Sequence, residues 1–273
     1  MVRALWTAAS GMIAQQTNVD NIANNLANVN TTGYKASTAE FKTLLYQTIQ
    51  TKTTTANGEK KPVGAQLGLG VRNSSITTYF SQGNLLASES LYDFAIGGSA
   101  FFGVRNSYGE ANYTRNGNFQ MALAGDGKMM LSTQDGYPVL DSNGEPIILD
   151  SKYELDKIYV DENGRFFYPD EETNSAEYIG VKIGLYRFTN PTGLEKVSGS
   201  MYKESVASGV ATEESALDGI KPSKLHQKYL EGSNVQVVDE MVDLISAQRA
   251  YEMNSKAIQA ADDMLSQANQ LKR

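Results

Sequence analysis

The chain has no cysteine and a single histidine, His226, and these two shortages remove more chemistry than any motif adds. Without thiols there is no disulfide framework, no thiolate nucleophile and no cysteine-ligated metal. One imidazole cannot assemble a zinc site of the usual nitrogen or sulfur kind. A Ser-His-carboxylate site would have to use His226, and no G-x-S-x-G elbow presents a serine to it. Basic charge is also short: 24 Lys and Arg against 31 Asp and Glu leave a net charge of -7, the wrong sign for a stripe that neutralises phosphates. Nucleic acid is therefore not an expected partner. Long apolar runs are missing too. Behind Arg3, the polar residues Gln15, Gln16, Asn18, Asp20, Asn24 and Asn25 break up the N-terminal pattern, so neither a membrane span nor a cleaved secretory peptide is expected.

The remaining candidates for chemistry are weak. The stretch Gly64 to Gly70 (GAQLGLG) lacks the Lys-Ser or Lys-Thr ending of a phosphate loop and reads as a turn leading into a strand. The acidic pairs Asp161-Glu162 and Glu171-Glu172 sit beside turn residues, as solvated loop charges do, and neither DSNG at Asp141 nor DENG at Asp161 has calcium-loop spacing. No catalytic residue, cofactor site, metal site or small-molecule substrate is expected. The 15 tyrosines and 9 phenylalanines leave one alternative of another class open, a cell-surface binding module with an aromatic groove. Tyrosine is equally a normal component of strands and interfaces.

What the chain does have is periodicity at its two ends. Residues 2 to 29 read as a helix in which Leu5, Met12, Val19 and Leu26 share one heptad position, with Ile22 beside them. Gly11 weakens the pattern and points to a close backbone contact, and Asn30, Thr31, Thr32 and Gly33 end it. From Val235 onward the stripe Val237, Met241, Leu244, Ala247, Tyr251, Ile258, Ala261, Leu265 and Ala268 runs without glycine or proline. Each terminal helix carries a stripe that must be buried and has no helical neighbour in sequence, so the two are expected to pair antiparallel. Small or apolar residues on their outer faces would then be free for neighbouring copies.

Between the ends the pattern changes. Residues 34 to 46 read as a short extended or helical arm, and Gln47 to Gly64 as a polar stretch without an apolar period. From Leu67 to Asp218 short apolar runs alternate with turn signals at Gly97-Gly98, Asn116-Gly117, Asp126-Gly127, Asp135-Gly136, Asn143-Gly144 and Asn163-Gly164. Phe101 to Val104, Met129 to Leu131, Ile158 to Val160 and Ile183 to Phe188 are predicted strands. The expected fold is mixed α and β, with a discontinuous N- and C-terminal helical coiled-coil domain and an inserted β-rich domain. Its divisions are 1–33 (first helix), 34–72 (arm with insert), 73–218 (β-rich domain), 219–234 (return linker) and 235–273 (last helix).

Specific residues go further than periodicity. Asn24, Asn25, Leu26, Asn28, Asn30, Thr31, Gly33, Tyr34 and Lys35 match the pattern NNLAN-x-N-T-x-G-[YF]-K without a gap. Near the other end Gln248, Arg249, Tyr251, Glu252, Asn254 and Lys256 match AQRAYE-x-N-[SA]-K. With FKTLLYQTI, GLGVR, FSQGNL, DFAIGGSAFFGV and YTRNGNF between them, the chain resembles the bacterial flagellar rod and hook proteins, and among these the distal rod group; Ala100 stands where that pattern commonly has glycine. The resemblance implies a structural subunit that polymerises with copies of itself into a straight hollow helical shaft, with the paired terminal helices as its core around the export channel and the β domain outside. It also implies an arm insert, from about Tyr46 to Gly64, that lies along the rod wall. The implied partners are proximal rod proteins, the hook protein, the surrounding P and L ring proteins and the flagellar type III export apparatus. The implied location is the basal-body rod across the periplasm, reached without signal cleavage.

Overall fold

The computed structural model describes residues 2–50, 64–124, 127–150, 152–169, 176–216, 219 and 221–270. Most of the polar insert, the Glu171-Glu172 pair and Asp126 of the Asp126-Gly127 turn lie outside the described residues. The chain is mixed α and β, with a helix at each end and a β-rich middle, and it divides into two compact units.

Unit 1 gathers residues 1–27, 37–78 and 236–273. Helix α1 (Val2–Ala27) has no proline and ends where Thr31 N–H donates to Asn28 O at 3.1 Å. Strands β1 (Ser37–Thr43), β2 (Tyr46–Gln50), β3 (Ala65–Gly68) and β4 (Val71–Thr78) follow, and α2 (Val237–Gln270) closes the unit. Asp239 and Glu240 occupy the first turn of α2, where the exposed N–H groups favour negative charge. The helices run antiparallel, since Asn25 meets Glu240 near one end and Gly11 meets Asn254 further along. Strand β1 pairs antiparallel with β4 from Ser37↔Thr78 to Thr43↔Val71, with a register shift between Glu40 and Phe41. Strand β2 pairs with β3, and backbone bonds from Leu44 to Gly70 and from Leu69 to Leu45 carry the ribbon on from the first pair to the second. Residues 47–50, which show no apolar period, are thus ordered by cross-strand pairing, a contact that a one-strand pattern cannot display.

Unit 2 gathers residues 28–36 and 79–235. It opens with β5 (Leu85–Ala87), β6 (Phe94–Gly97), β7 (Phe101–Arg105), β8 (Ala111–Thr114), β9 (Phe119–Leu123) and β10 (Met129–Thr133). It continues with β11 (Ile148–Leu149), β12 (Tyr159–Val160), β13 (Arg165–Pro169), β14 (Ala176–Lys182) and β15 (Leu185–Arg187). It ends with β16 (Glu195–Lys196), β17 (Met201–Lys203), β18 (Thr212–Glu213), β19 (Lys224–Gln227) and β20 (Tyr229–Glu231). The largest sheet has the order β16-β17-β8-β7-β15-β18, and all of its described pairings are antiparallel.

Strand β7 explains the unbroken apolar run around Phe101. Its residues from Phe101 to Val104 are all buried, so the strand is covered on both faces and has no polar side to alternate with. Phe102 and Val104 enter a core with Phe94, Ile96, Phe119, Leu131, Ile147, Phe166 and Leu185. Phe101 points the other way, into a cluster with Tyr113, Phe188 and Tyr202 whose rings meet edge to face. Asn143-Gly144 and Asn163-Gly164 form tight turns, with the glycines at φ of 80° and 79°.

Candidate assembly surfaces

The inward side of the helix pair is small and polar. On α1 the buried residues are Ala8, Ala14, Asn21, Ile22 and Asn25; on α2 they are Ala247 and Ala261. Gly11 lies so close to Asn254 that an added Cβ would stand 2.9 Å from its Nδ2, which accounts for a glycine inside a long helix. Asn25 donates from Nδ2 to Ser37 O at 2.8 Å and to Glu240 Oε1 at 3.0 Å, and its Oδ1 accepts from Ser37 N–H at 3.1 Å. Asn21 donates to Ser37 O at 2.5 Å and accepts from Ser37 Oγ at 3.1 Å. Two asparagines one helical turn apart therefore fasten the start of β1 to α1. Partial burial, the leading cause, holds the Glu240 carboxyl above its usual range; the bond from Asn25 works against the shift, while Asp243 and Asp239 add to it.

The expected seam residues divide between this interior and the outside. Ile22 is buried, Leu5, Met12, Val19, Leu26, Leu244, Ile258 and Leu265 are half-buried, and Val237, Met241 and Tyr251 are exposed. A second apolar face stands out on α2, made of Val238, Met241, Val242 and Ile245, with Val238 74% exposed. On α1, Trp6 is 72% exposed and Ile13, one heptad later, 65%. Two grooves flank the helix pair. One, of about 380 Å³, is lined by Asn18, Asn25, Thr38, Glu240, Asp243 and Ala250 among others; the other, of about 520 Å³, by Gln16, Val19, Gln248, Tyr251 and Glu252.

Unit 2 has a feature that no pattern announced. Glu231, at the end of β20, is fully buried between Lys35 Nζ at 2.6 Å and Arg115 Nη1 at 3.3 Å, and it also accepts from Gly83 N–H at 3.0 Å. Lys35 gives a further hydrogen bond to Ser81 O at 2.7 Å, and Arg115 Nη2 gives one to Gly98 O at 2.6 Å while its guanidinium stacks over Phe101. Burial pushes the Lys35 ammonium below its usual range, although Glu231 opposes the shift. Gly33 makes the approach possible: its φ is +70°, and a Cβ there would lie 2.5 Å from Asn116 N. Elsewhere in the unit His226 lies on β19 opposite Ala95, and Glu162 is paired with Lys224 at 2.6 Å. Among the described residues no group of three His, Cys, Asp or Glu side chains could hold a metal ion.

Residues 5–35 match the family "Flagella basal body rod protein", residues 95–168 the "Flagellar hook protein FlgE/F/G D1 domain" and residues 226–271 the "Flagellar basal body rod FlgEFG protein C-terminal". The flagellar basal-body rod protein FlgG of Borreliella burgdorferi is 42% identical, over 100% of both chains. The chain belongs to the flagellar basal-body rod protein family. FlgG of Agrobacterium fabrum is 40% identical over 97% of each chain, and the flagellar hook-basal body complex protein FlhP of Bacillus subtilis is 31% identical over 100% of each.

Within this family chain the two terminal motifs have different destinations. Asn25 pins β1, Gly33 and Lys35 build the buried charge cluster of unit 2, and Asn28 Oδ1 accepts from the Thr31 hydroxyl at 3.1 Å. Asn24 and Asn30 are exposed, and Tyr34 is half-buried. In the second motif Ala247 and Asn254 face inward, whereas Gln248, Arg249, Tyr251, Glu252 and Lys256 are exposed. These five do little for the packing of a single chain.

Proposed function

We propose that this chain is the structural subunit of the flagellar distal rod, and that copies of it polymerise through their terminal helices into a straight, hollow shaft. The shaft transmits torque to the hook and encloses the export channel. The observation that carries the reading is the outer side of the helix pair: Trp6, Ile13, Val238, Val242 and Ile245 are exposed on helices matched end to end by rod proteins. An apolar face of this kind is hydrated in the single chain and is covered on association, with roughly 1.5–3 kcal/mol for each large side chain fully buried. In the polymer the helices form a coiled-coil inner layer in which Leu5, Met12, Val19, Leu26, Leu244, Ile258 and Leu265 make the seam. The β-rich domain then stands outside it.

The arm insert from about Tyr46 to Gly64 lies along the rod wall in this reading and distinguishes a stiff rod from a bendable hook; residues 51–63 of it are outside the described residues. The partners are proximal rod proteins, the hook protein, the P and L ring proteins and the type III export apparatus. No catalytic, metal or cofactor site is assigned. The FlhP relative supports a second reading, another axial subunit of rod or hook type. Electron imaging of tubes grown from the full-length protein separates the two. Straight hollow tubes with both terminal helices lining the bore support the distal rod; curved tubes favour a hook-type subunit. Persistent monomers under seeding return the chain to the binding-module class.

A further inference from the structure

The smaller groove of unit 1 is acidic and contains no base. Glu240 and Asp243 project from α2 beside Ser246, Ala247 and Ala250 of the same helix, whose small side chains keep that wall low, and the α1 side carries the amides of Asn18, Asn21 and Asn25. Neither carboxylate has an ion pair among the described residues, and Glu240 already resists ionisation because it is partly desolvated. A groove of about 380 Å³ with two carboxylates and the amides of Gln15 and Asn18 suits a guanidinium or an ammonium group on an extended stem.

The same unit carries a matching group that no carboxylate among the described residues neutralises. Lys42 and Arg72 are direct partners in the β1–β4 register, so two cations project together from one face of the ribbon. Like charges placed opposite each other destabilise a strand pair. Both are exposed, and neither has a salt bridge among the described residues. The nearby Glu40 binds the hydroxyls of Ser75 at 3.2 Å and Thr77 at 3.0 Å. By contrast Arg249 and Lys256 have Glu252 within one turn of the same helix.

We infer that the acidic groove receives the Lys42–Arg72 pair of a second copy of this chain; the inference rests on the polymer reading above. Two cations meet two carboxylates, which removes a repulsion on one copy and completes a site on the other. The positions also fit an open assembly. Val71, next to Arg72, donates its N–H to Ser10 Oγ at 3.3 Å, whereas the groove lies beside Asn18 to Asn25. Along α1 the distance from Ser10 to Asn21 is about 17 Å at the helical rise. Donor and acceptor patches are thus displaced along one axis, and in the head-to-tail arrangement of the polymer reading each copy gives one contact and takes another, so the contact propagates.

The test uses two double charge reversals of the full-length protein, K42E/R72E and E240K/D243K, with folding verified by circular dichroism and the critical concentration for assembly measured by sedimentation. Each variant alone is expected to raise that concentration at least about tenfold, because like charges then face each other. Mixed in equal amounts they are expected to co-polymerise, since the acidic ribbon of one fits the basic groove of the other. The milder pair K42Q/R72Q and E240Q/D243N is expected to weaken assembly without abolishing it, and serves if a reversal fails to fold. Normal assembly of either folded double variant overturns the inference, as does a mixture that stays unassembled. If the unmodified chain forms no polymer under seeding, the polymer reading itself fails.

Discussion

Unit 2 buries phenylalanine, isoleucine and leucine, while the helix pair of unit 1 buries chiefly alanine and asparagine, with Ile22 beside them, and leaves Trp6, Ile13, Val238, Met241, Val242 and Ile245 in water. A globular domain is expected to do the first. The second arrangement is that of a part still waiting for its neighbours. Unit 2 encloses an apolar core within one chain, with sixteen buried residues among those described and an aromatic cluster beside it. In unit 1 the helices touch through small side chains and amide hydrogen bonds, which specify alignment more than they supply burial. Stability and assembly are in this way separated along the chain.

The largest expected effect on the single chain is therefore in unit 2, at its most buried charge. Replacing Glu231 with leucine leaves Lys35 and Arg115 enclosed without a counter-ion, and breaking a buried pair in this way costs about 3–5 kcal/mol. Chemical denaturation followed by the fluorescence of the tyrosine-rich unit should show that loss. An unchanged midpoint would mean that the cluster contributes nothing to folding. A smaller effect is expected from Ile22→Ala, which removes the one large aliphatic side chain buried on α1 among the described residues. About 2 kcal/mol, the low end for such a deletion, is expected because the helix pair can relax around it. Hydrogen exchange along α1 is the readout, with faster exchange there and none of it in β7.

Smaller still in the monomer is the double change Val242→Ser and Ile245→Ser. Both side chains are more than half exposed, so the free chain should keep its stability to within about 0.5 kcal/mol. Tube formation should nevertheless fail. If the doubly substituted chain assembles normally, the exposed face of α2 is not a contact surface and the contrast between the units loses its functional meaning.

How much of this was legible in advance follows from the same contrast. The terminal helices were, because periodicity and the lack of proline do not depend on what a helix packs against. The chain's mixed α and β character was legible from turn residues and short apolar runs. The division of labour on α2 was not. Met241 and Leu244 share one sequence stripe, yet one is exposed and the other half-buried, because the inner contact follows alanines and Asn254 and the outer face is written in the same apolar letters. The Glu231 cluster was also illegible, since its charges come from positions 35, 115 and 231 and each alone resembles a surface residue. The pairing of β2 with β3 was hidden for the same reason, as it depends on a partner strand across a polar stretch.

The smallest expected effect is on pH dependence, and its sign separates monomer from polymer. Partial burial raises the Glu240 carboxyl above its ordinary 4.5, with Asp243 and Asp239 adding to the shift and the Asn25 hydrogen bond opposing it. A carboxyl that binds its proton more tightly when folded favours the folded helix pair in acid, and that contribution is lost as pH rises from 4.5 through the folded value. Near neutral pH the ionised group is then a small burden on the monomer, and E240Q should relieve it and flatten the thermal-melt profile across that window. Seated against Lys42 and Arg72 of a second copy, the same carboxylate gains by being charged, so acid should dissolve the contact that neutral pH supports. A monomer melt and a polymer sedimentation series over one pH range should therefore slope in opposite directions in the unmodified chain, and the opposition should fade in E240Q. Parallel slopes would place Glu240 outside the contact and leave the acidic groove to the single chain.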